Sequence, residues 1–208
     1  MTTVAKQLEA TPIELILTAL VCAYSRQFGL THIDLSYLGH GRKDPRGQCD
    51  VSRTVGFFAC QFPLVFQCAS ENDLVGTLSA VQATLSTGVD NGFLYNVVKN
   101  LHVFSNDQIE LKRQFEMLPQ FGFTYLDDMA ICDSSDTNTL LVEQPAMINH
   151  LRTSKSQNNF PFVLDFSAWN SAGGLELITN FNSKRFREKT ISEFTLQWKE
   201  CLLELTRF

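Results

Sequence analysis

Leu38-Gly39-His40-Gly41-Arg42, then Asp50-Val51-Ser52-Arg53-Thr54-Val55-Gly56-Phe57-Phe58, then Phe62-Pro63-Leu64-Val65-Phe66, is the stretch that decides the fold. Two glycine-punctuated polar clusters stand between apolar runs. Glycines beside a His and an Arg let the backbone turn sharply and let another backbone or a ligand come close. On these residues alone, the plain reading is a bulge or turn in which Arg42 and Arg53 pair with Asp50, since arginines that leave water are usually paired.

Outward from this stretch, periodicity gives alternating helices and strands. Thr11 caps and Pro12 opens a helix running to about Gln27, with Gly29 as its stop. From His32 to Leu38 the pattern alternates, with Ile33, Leu35 and Tyr37 on one strand face. Arg42 to Asp50, holding Pro45 and Gly47, is expected as a loop; Arg53–Phe58 and Pro63–Gln67 are expected as short extended pieces, Pro63 marking an edge. Asp73 caps a helix to about Ser86, ended by Gly88, and a separate short helix is expected within Gly92–Leu101. Ile109–Met117 reads as a helix stopped by Pro119, and Phe121, Phe123 and Tyr125 as a strand. Residues 127–145, rich in Asp and polar side chains, read as an exposed excursion. Phe160–Trp169 and Leu175–Phe181 form a hairpin across the turn residues 170–174. Thr190 then caps a last helix whose apolar stripe is Ile191, Phe194, Trp198, Leu202 and Leu205.

Composition bounds the function. A 208-residue chain suits one domain and buries about 70% of its unfolded surface. A charged content of 19% is lean, which suggests apolar surface turned toward a partner. The net charge of −5 and the absence of a Lys/Arg run exclude nucleic acid as the expected partner. It also leaves any docking to local patches; the basic cluster Lys184, Arg185, Arg187, Lys189 reads as a solvated turn. Six cysteines without a Cys-x-x-Cys pair point to no metal or redox site, and Cys22 and Cys201 read as small core residues. The apolar run Ile13–Tyr24 is too short to span a bilayer, so no membrane is expected and a cytoplasmic setting is the default.

The clusters quoted above, in their order, resemble the second half of an epimerization domain of nonribosomal peptide synthetases, a branch of the condensation-domain superfamily. That family shows Glu-Gly-His-Gly-Arg, then Arg-Thr-Val-Gly-Trp-Phe-Thr and Tyr-Pro-x-x-Leu. Ile13-Glu14-Leu15-Ile16-Leu17-Thr18-Ala19-Leu20 is similar to its Asp-x-Leu-Leu-x-Ala helix, Asn91-Gly92-Phe93-Leu94-Tyr95 to a weakened Gly-x-Gly-Tyr-Gly, and Phe123-Thr124-Tyr125-Leu126 to Phe-Asn-Tyr-Leu-Gly. The resemblance covers roughly residues 13 to 205. It implies an α/β fold of layered sheet and helices like that of chloramphenicol acetyltransferase. It also implies that residues 1–208 are a single C-terminal subdomain.

The family's active-site motif, His-His-x-x-x-Asp-Gly, belongs to the first half and is absent, since His32, His40, His102 and His150 are all isolated. The resemblance implies one wall of a channel for a peptidyl substrate on the phosphopantetheine of a carrier protein, with no cofactor bound directly. The family's Glu, an acid/base, is matched by Leu38, its Asn by Thr124, and the Gly after Leu126 by Asp127. No catalytic residue is therefore assigned, and the chain is expected to be inactive alone. Substrate-channel candidates are His40, Arg42, Ser52, Arg53, Thr54, Phe57, Thr124 and Tyr125. For each the bland alternative stands: His40 bonds its own loop, Arg42 and Arg53 brace it, Ser52 and Thr54 bond local backbone, Phe57 packs. Expected partners are a peptidyl carrier protein and an N-terminal half-domain or neighbouring synthetase domain, with self-association left open. A non-catalytic docking or scaffold module is the alternative, and a self-associating acyltransferase ranks last.

Overall fold

The computed structural model describes residues 2–42, 50–100, 108–117, 119–126, 162–171 and 174–207. Residues 127–145, most of the Arg42–Asp50 loop, His102 and His150 lie outside the described residues.

A five-stranded sheet forms from β1 (His32–Gly39), β2 (Cys60–Gln67), β3 (Phe121–Leu126), β4 (Leu164–Ser171) and β5 (Gly174–Phe181), in the spatial order β2-β1-β3-β4-β5. The three central strands β1, β3 and β4 run parallel; β2 and β5 are antiparallel edges. Pro63, which has no amide hydrogen to donate, sits on edge strand β2 as expected. Among the described residues five helices accompany the sheet: α1 (Thr2–Gln7), α2 (Pro12–Phe28), α3 (Leu74–Asn100), α4 (Ile109–Glu116) and α5 (Glu188–Leu205).

The α2 cap is as the sequence predicts. The Thr11 amide donates to Glu14 Oε2 at 2.7 Å, and Gly29 ends the helix in the left-handed region. Residues Leu15 to Ala23 of α2 are almost wholly inaccessible to water. They lie against α5, whose stripe Ile191, Phe194, Trp198, Leu202 and Leu205 is buried. The Trp198 indole donates to the Ile16 carbonyl at 3.0 Å, closing that seam. Phe166 of β4 meets Phe194 and Trp198 at 5.6 and 5.8 Å between ring centres. Arg26 crosses from α2 to grip both Glu204 carboxylate oxygens at 2.8–2.9 Å.

Three expectations are corrected. Gly88 does not stop a helix: α3 runs unbroken for 27 residues and absorbs the separate helix expected after it. A Cβ at Gly88 would collide with Leu64, and one at Gly92 with the Phe62 ring. These glycines are close-approach points that let α3 lie against β2, and that contact outweighs their helix cost of about 1 kcal/mol each. Residues 53–58 form no strand; they fold as turns and irregular chain. The last helix begins at Glu188, not after Thr190. The hairpin is confirmed, but Asn170 and Ser171 belong to β4, paired with Leu175 and Gly174.

Candidate functional site

Alternation within β1 puts Ile33, Leu35 and Tyr37 toward the helices, all buried. Leu38 therefore lies on the opposite face, which is helix-free among the described residues. The register carries that position across the sheet: Leu38 stands beside Thr124 of β3, Thr124 beside Ser167 of β4, and Gln61 of β2 on Leu38's other side. The two positions that the resemblance sets against the family's acid/base Glu and its Asn are thus direct neighbours. Leu offers no proton, and a threonine hydroxyl only a hydrogen bond. Two residues further on, Leu126 is opposite Trp169 on the same face. Two residues back, Ser36 is fully buried and its Oγ has no partner among the described residues. It is flanked by Pro63 and by Gly122, where a Cβ would stand 2.6 Å from Asp165 Oδ1.

Beyond the end of β1, His40, Arg42, Ser52, Arg53, Thr54 and Phe57 gather in a separate loop cluster. Gly41, with φ +62°, makes the turn; a Cβ there would strike the Phe58 carbonyl. The His40 Nδ1 accepts the Arg42 amide at 3.1 Å. The brace expected between the arginines and Asp50 is corrected. Arg42 donates to the Val51 and Thr54 carbonyls, each at 3.0 Å, and to Gly56 O at 3.4 Å, while its guanidinium stacks 4.4 Å from the Phe58 ring. Among the described residues neither Arg42 nor Arg53 pairs with Asp50. That carboxyl is held below its usual range by the Ser52 hydroxyl and by the Ser52 amide, which donates to it at 2.9 Å. A planar fork with several donors satisfies a loop of free carbonyls better than one distant carboxylate would. The loop it organises presents Val55 and Phe57 almost wholly to solvent, 99% and 92% exposed. Phe57 is therefore not a core residue, and Ser52, Arg53 and Thr54 are exposed too.

Tyr125 parts company with Thr124. Strand alternation turns it to the helix side, where it packs at the margin of the core and its hydroxyl accepts from Asn170 Nδ2 at 3.4 Å. The eight candidates therefore split three ways: Thr124 on the helix-free face beside Leu38, Tyr125 on the helix face, and the other six in the loop. Ser36, Ser167 and Trp169 share the helix-free face, and the sequence alone does not single them out. The alternation of Phe166 and Ala168 does put Ser167 and Trp169 together, but only the parallel pairing with β3 sets them beside Thr124.

Elsewhere, Cys22 and Cys201 are buried as expected. Burial, with Cys68 nearby, pushes the Cys22 thiol up to about 12, so it is an inert core group. No group of three or more His, Cys, Asp or Glu among the described residues is arranged to hold a metal. No helix among them is long and apolar enough to cross a membrane. An open groove of about 920 Å³ lies between β5 and α5, lined mainly by apolar side chains including Leu177, Phe181 and Leu196.

The condensation-domain family profile matches residues 1–207. The chain is similar to gramicidin S synthase 1 of Brevibacillus brevis, 26% identical over 198 residues that cover 92% of this chain and 18% of that protein. It is similar also to bacitracin synthase 2 of Bacillus licheniformis, 28% identical over 189 residues, 91% of this chain and 7% of that one. Among solved structures, the epimerization domain from the third module of tyrocidine synthetase B superposes with a TM-score of 0.76 at 23% identity, over 98% of this chain and 43% of that one. A condensation domain from the enacyloxin polyketide synthase gives 0.67 at 12% identity, over 99% and 38%. The chain thus spans less than half of these structures and under a fifth of the synthases. It belongs to the condensation-domain family, and its layered α/β fold is of the chloramphenicol-acetyltransferase kind.

Proposed function

We propose that this condensation-domain chain is the C-terminal subdomain of a nonribosomal peptide synthetase domain of the epimerization/condensation type. Its helix-free face, at the ends of β1, β3 and β4, forms one wall of the channel for a peptidyl group carried on the phosphopantetheine of a carrier protein, and the chain is inactive alone. The observation that carries this reading is the pairing of Leu38 with Thr124 across the sheet. Exchange of an α-proton needs a base on one side of the carbon and an acid on the other, and the Leu38–Thr124 pair supplies neither. What it keeps are hydroxyls: Thr124 and Ser167 on the wall, Ser52 and Thr54 exposed on the loop, suited to the amides of a pantetheine arm. The first-half subdomain and a carrier protein are the partners this implies.

Incubated in deuterium oxide with a peptidyl carrier protein, the chain should incorporate no α-deuterium, whereas turnover by the chain alone would refute the inactivity. Leu38→Glu, combined with the first half of a related domain, is expected to bring exchange back. Silence in that pairing would count against the wall.

A second reading, a non-catalytic docking module, is favoured by the loop that Arg42 braces with Val55 and Phe57 turned outward. Large exposed apolar side chains on an organised loop are the usual anchors of a partner surface. Co-purification with a carrier protein that Phe57→Ser abolishes, together with no rescue of exchange by the first half, would choose this reading over the channel wall.

A further inference from the structure

We infer that Leu38, Leu126 and Trp169 make the channel wall selective for an apolar residue on the carrier-bound substrate; this rests on the channel reading above. The three belong to β1, β3 and β4 and lie on the helix-free face. Leu126 is 45% exposed, and Leu38 and Trp169 are half-buried. Register makes them a diagonal stripe: Leu126 is two residues beyond Thr124, which is Leu38's neighbour, and Trp169 is directly opposite Leu126. With strands about 4.8 Å apart, the stripe spans on the order of 10 Å, the reach of one aromatic or branched side chain.

Its surroundings argue against a charged occupant. Thr124 and Ser167 border the stripe with hydroxyls, and Gln61 stands beyond Leu38. The strand residues of this face carry the carboxylates Asp34, Asp165 and Glu176 but no Lys or Arg. An acidic side chain laid here meets like charge, and a basic one, though Glu176 stands opposite Trp169, still loses water against Leu and Trp. An apolar side chain gains the transfer free energy of its buried surface. Leu38 matters most: at the position where the family places its proton-handling Glu, the substrate's α-carbon and side chain would meet a branched hydrocarbon instead.

The test uses the whole chain and four non-hydrolysable probes, the N-acetylaminoacyl pantetheine amides of phenylalanine, serine, aspartate and lysine, with dissociation constants read by calorimetry. The phenylalanyl probe should bind at least about tenfold tighter than the other three, the discrimination an apolar pocket typically gives. Trp169→Ala and Leu38→Ser should each erode that preference, whereas Lys184→Ala, on the distant β5–α5 turn, should leave it intact. Equal binding of all four probes overturns the selectivity while leaving the channel reading standing. Binding of none of them sinks the channel reading and the selectivity with it.

Discussion

The two faces of the one sheet are solved differently. On the helix side, Ile33, Leu35, Phe62, Phe66, Phe123, Phe166 and Ala168 are sealed beneath α2, α3 and α5, and the buried Trp198 indole finds its carbonyl. On the other face Leu126, Val65 and Ile178 are 45%, 52% and 39% exposed, and a buried serine hydroxyl has no partner among the described residues. A folded chain tolerates such a face only where the cost is small or a further surface covers it. The contrast teaches that, among the described residues, stability is concentrated on one side and that Leu38 and Thr124 lie on the other.

That contrast can be broken most directly at Trp198. Trp198→Ala should cost about 3–5 kcal/mol, read as a loss in urea midpoint; a loss below about 1 kcal/mol would mean that the α2–α5 seam is not the keystone of the fold. At Gly92, where α3 touches Phe62, Gly92→Val should cost about 1–3 kcal/mol through overpacking, and a stabilised variant would show that the helix has room to move off β2.

The Arg26–Glu204 pair links the seam to pH. Arg26's hydrogen bonds hold the Glu204 carboxyl below its ordinary 4.5. The pair therefore stabilises the fold above that value and is lost as pH falls through the lowered pKa. Because Glu204 is partly exposed (37%), Glu204→Gln should cost no more than about 1 kcal/mol at pH 7. The gap between variant and wild type should close in acid, below the lowered pKa; a gap unchanged down to pH 2 would sink the linkage. Smallest of all, Ser36→Ala on this face should be neutral or stabilise by a few tenths of a kcal/mol, since it removes a hydroxyl with no partner among the described residues. A loss above 1 kcal/mol there would mean that Ser36 is satisfied after all and that the two faces differ less than they look.

Much of the fold is legible in the chain. The α2 cap at Thr11-Pro12 with its stop at Gly29, the buried alternation of β1, the edge Pro63, the hairpin and the α5 stripe are local patterns, and local sterics and capping enforce them within a few residues. The loop is less legible. Charge is visible in sequence and points its arginines at a carboxylate, whereas the backbone carbonyls that Arg42 takes emerge only once the chain has turned. Gly88 reads as a stop because a glycine's conformational freedom can be seen in sequence, and the approach of Leu64 cannot.

By itself, then, the order of residues fixed each strand's two faces, the helix caps and the family resemblance, because periods of 2 and 3.6 are properties of the backbone. Only the folded sheet decided that Leu38 stands beside Thr124 and Thr124 beside Ser167, that Tyr125 turns away from them, and that two glycines serve as contact points. Those outcomes depend on which strands a crossover connection brings side by side and on how closely a helix presses on them. Both are set by packing between segments far apart in sequence.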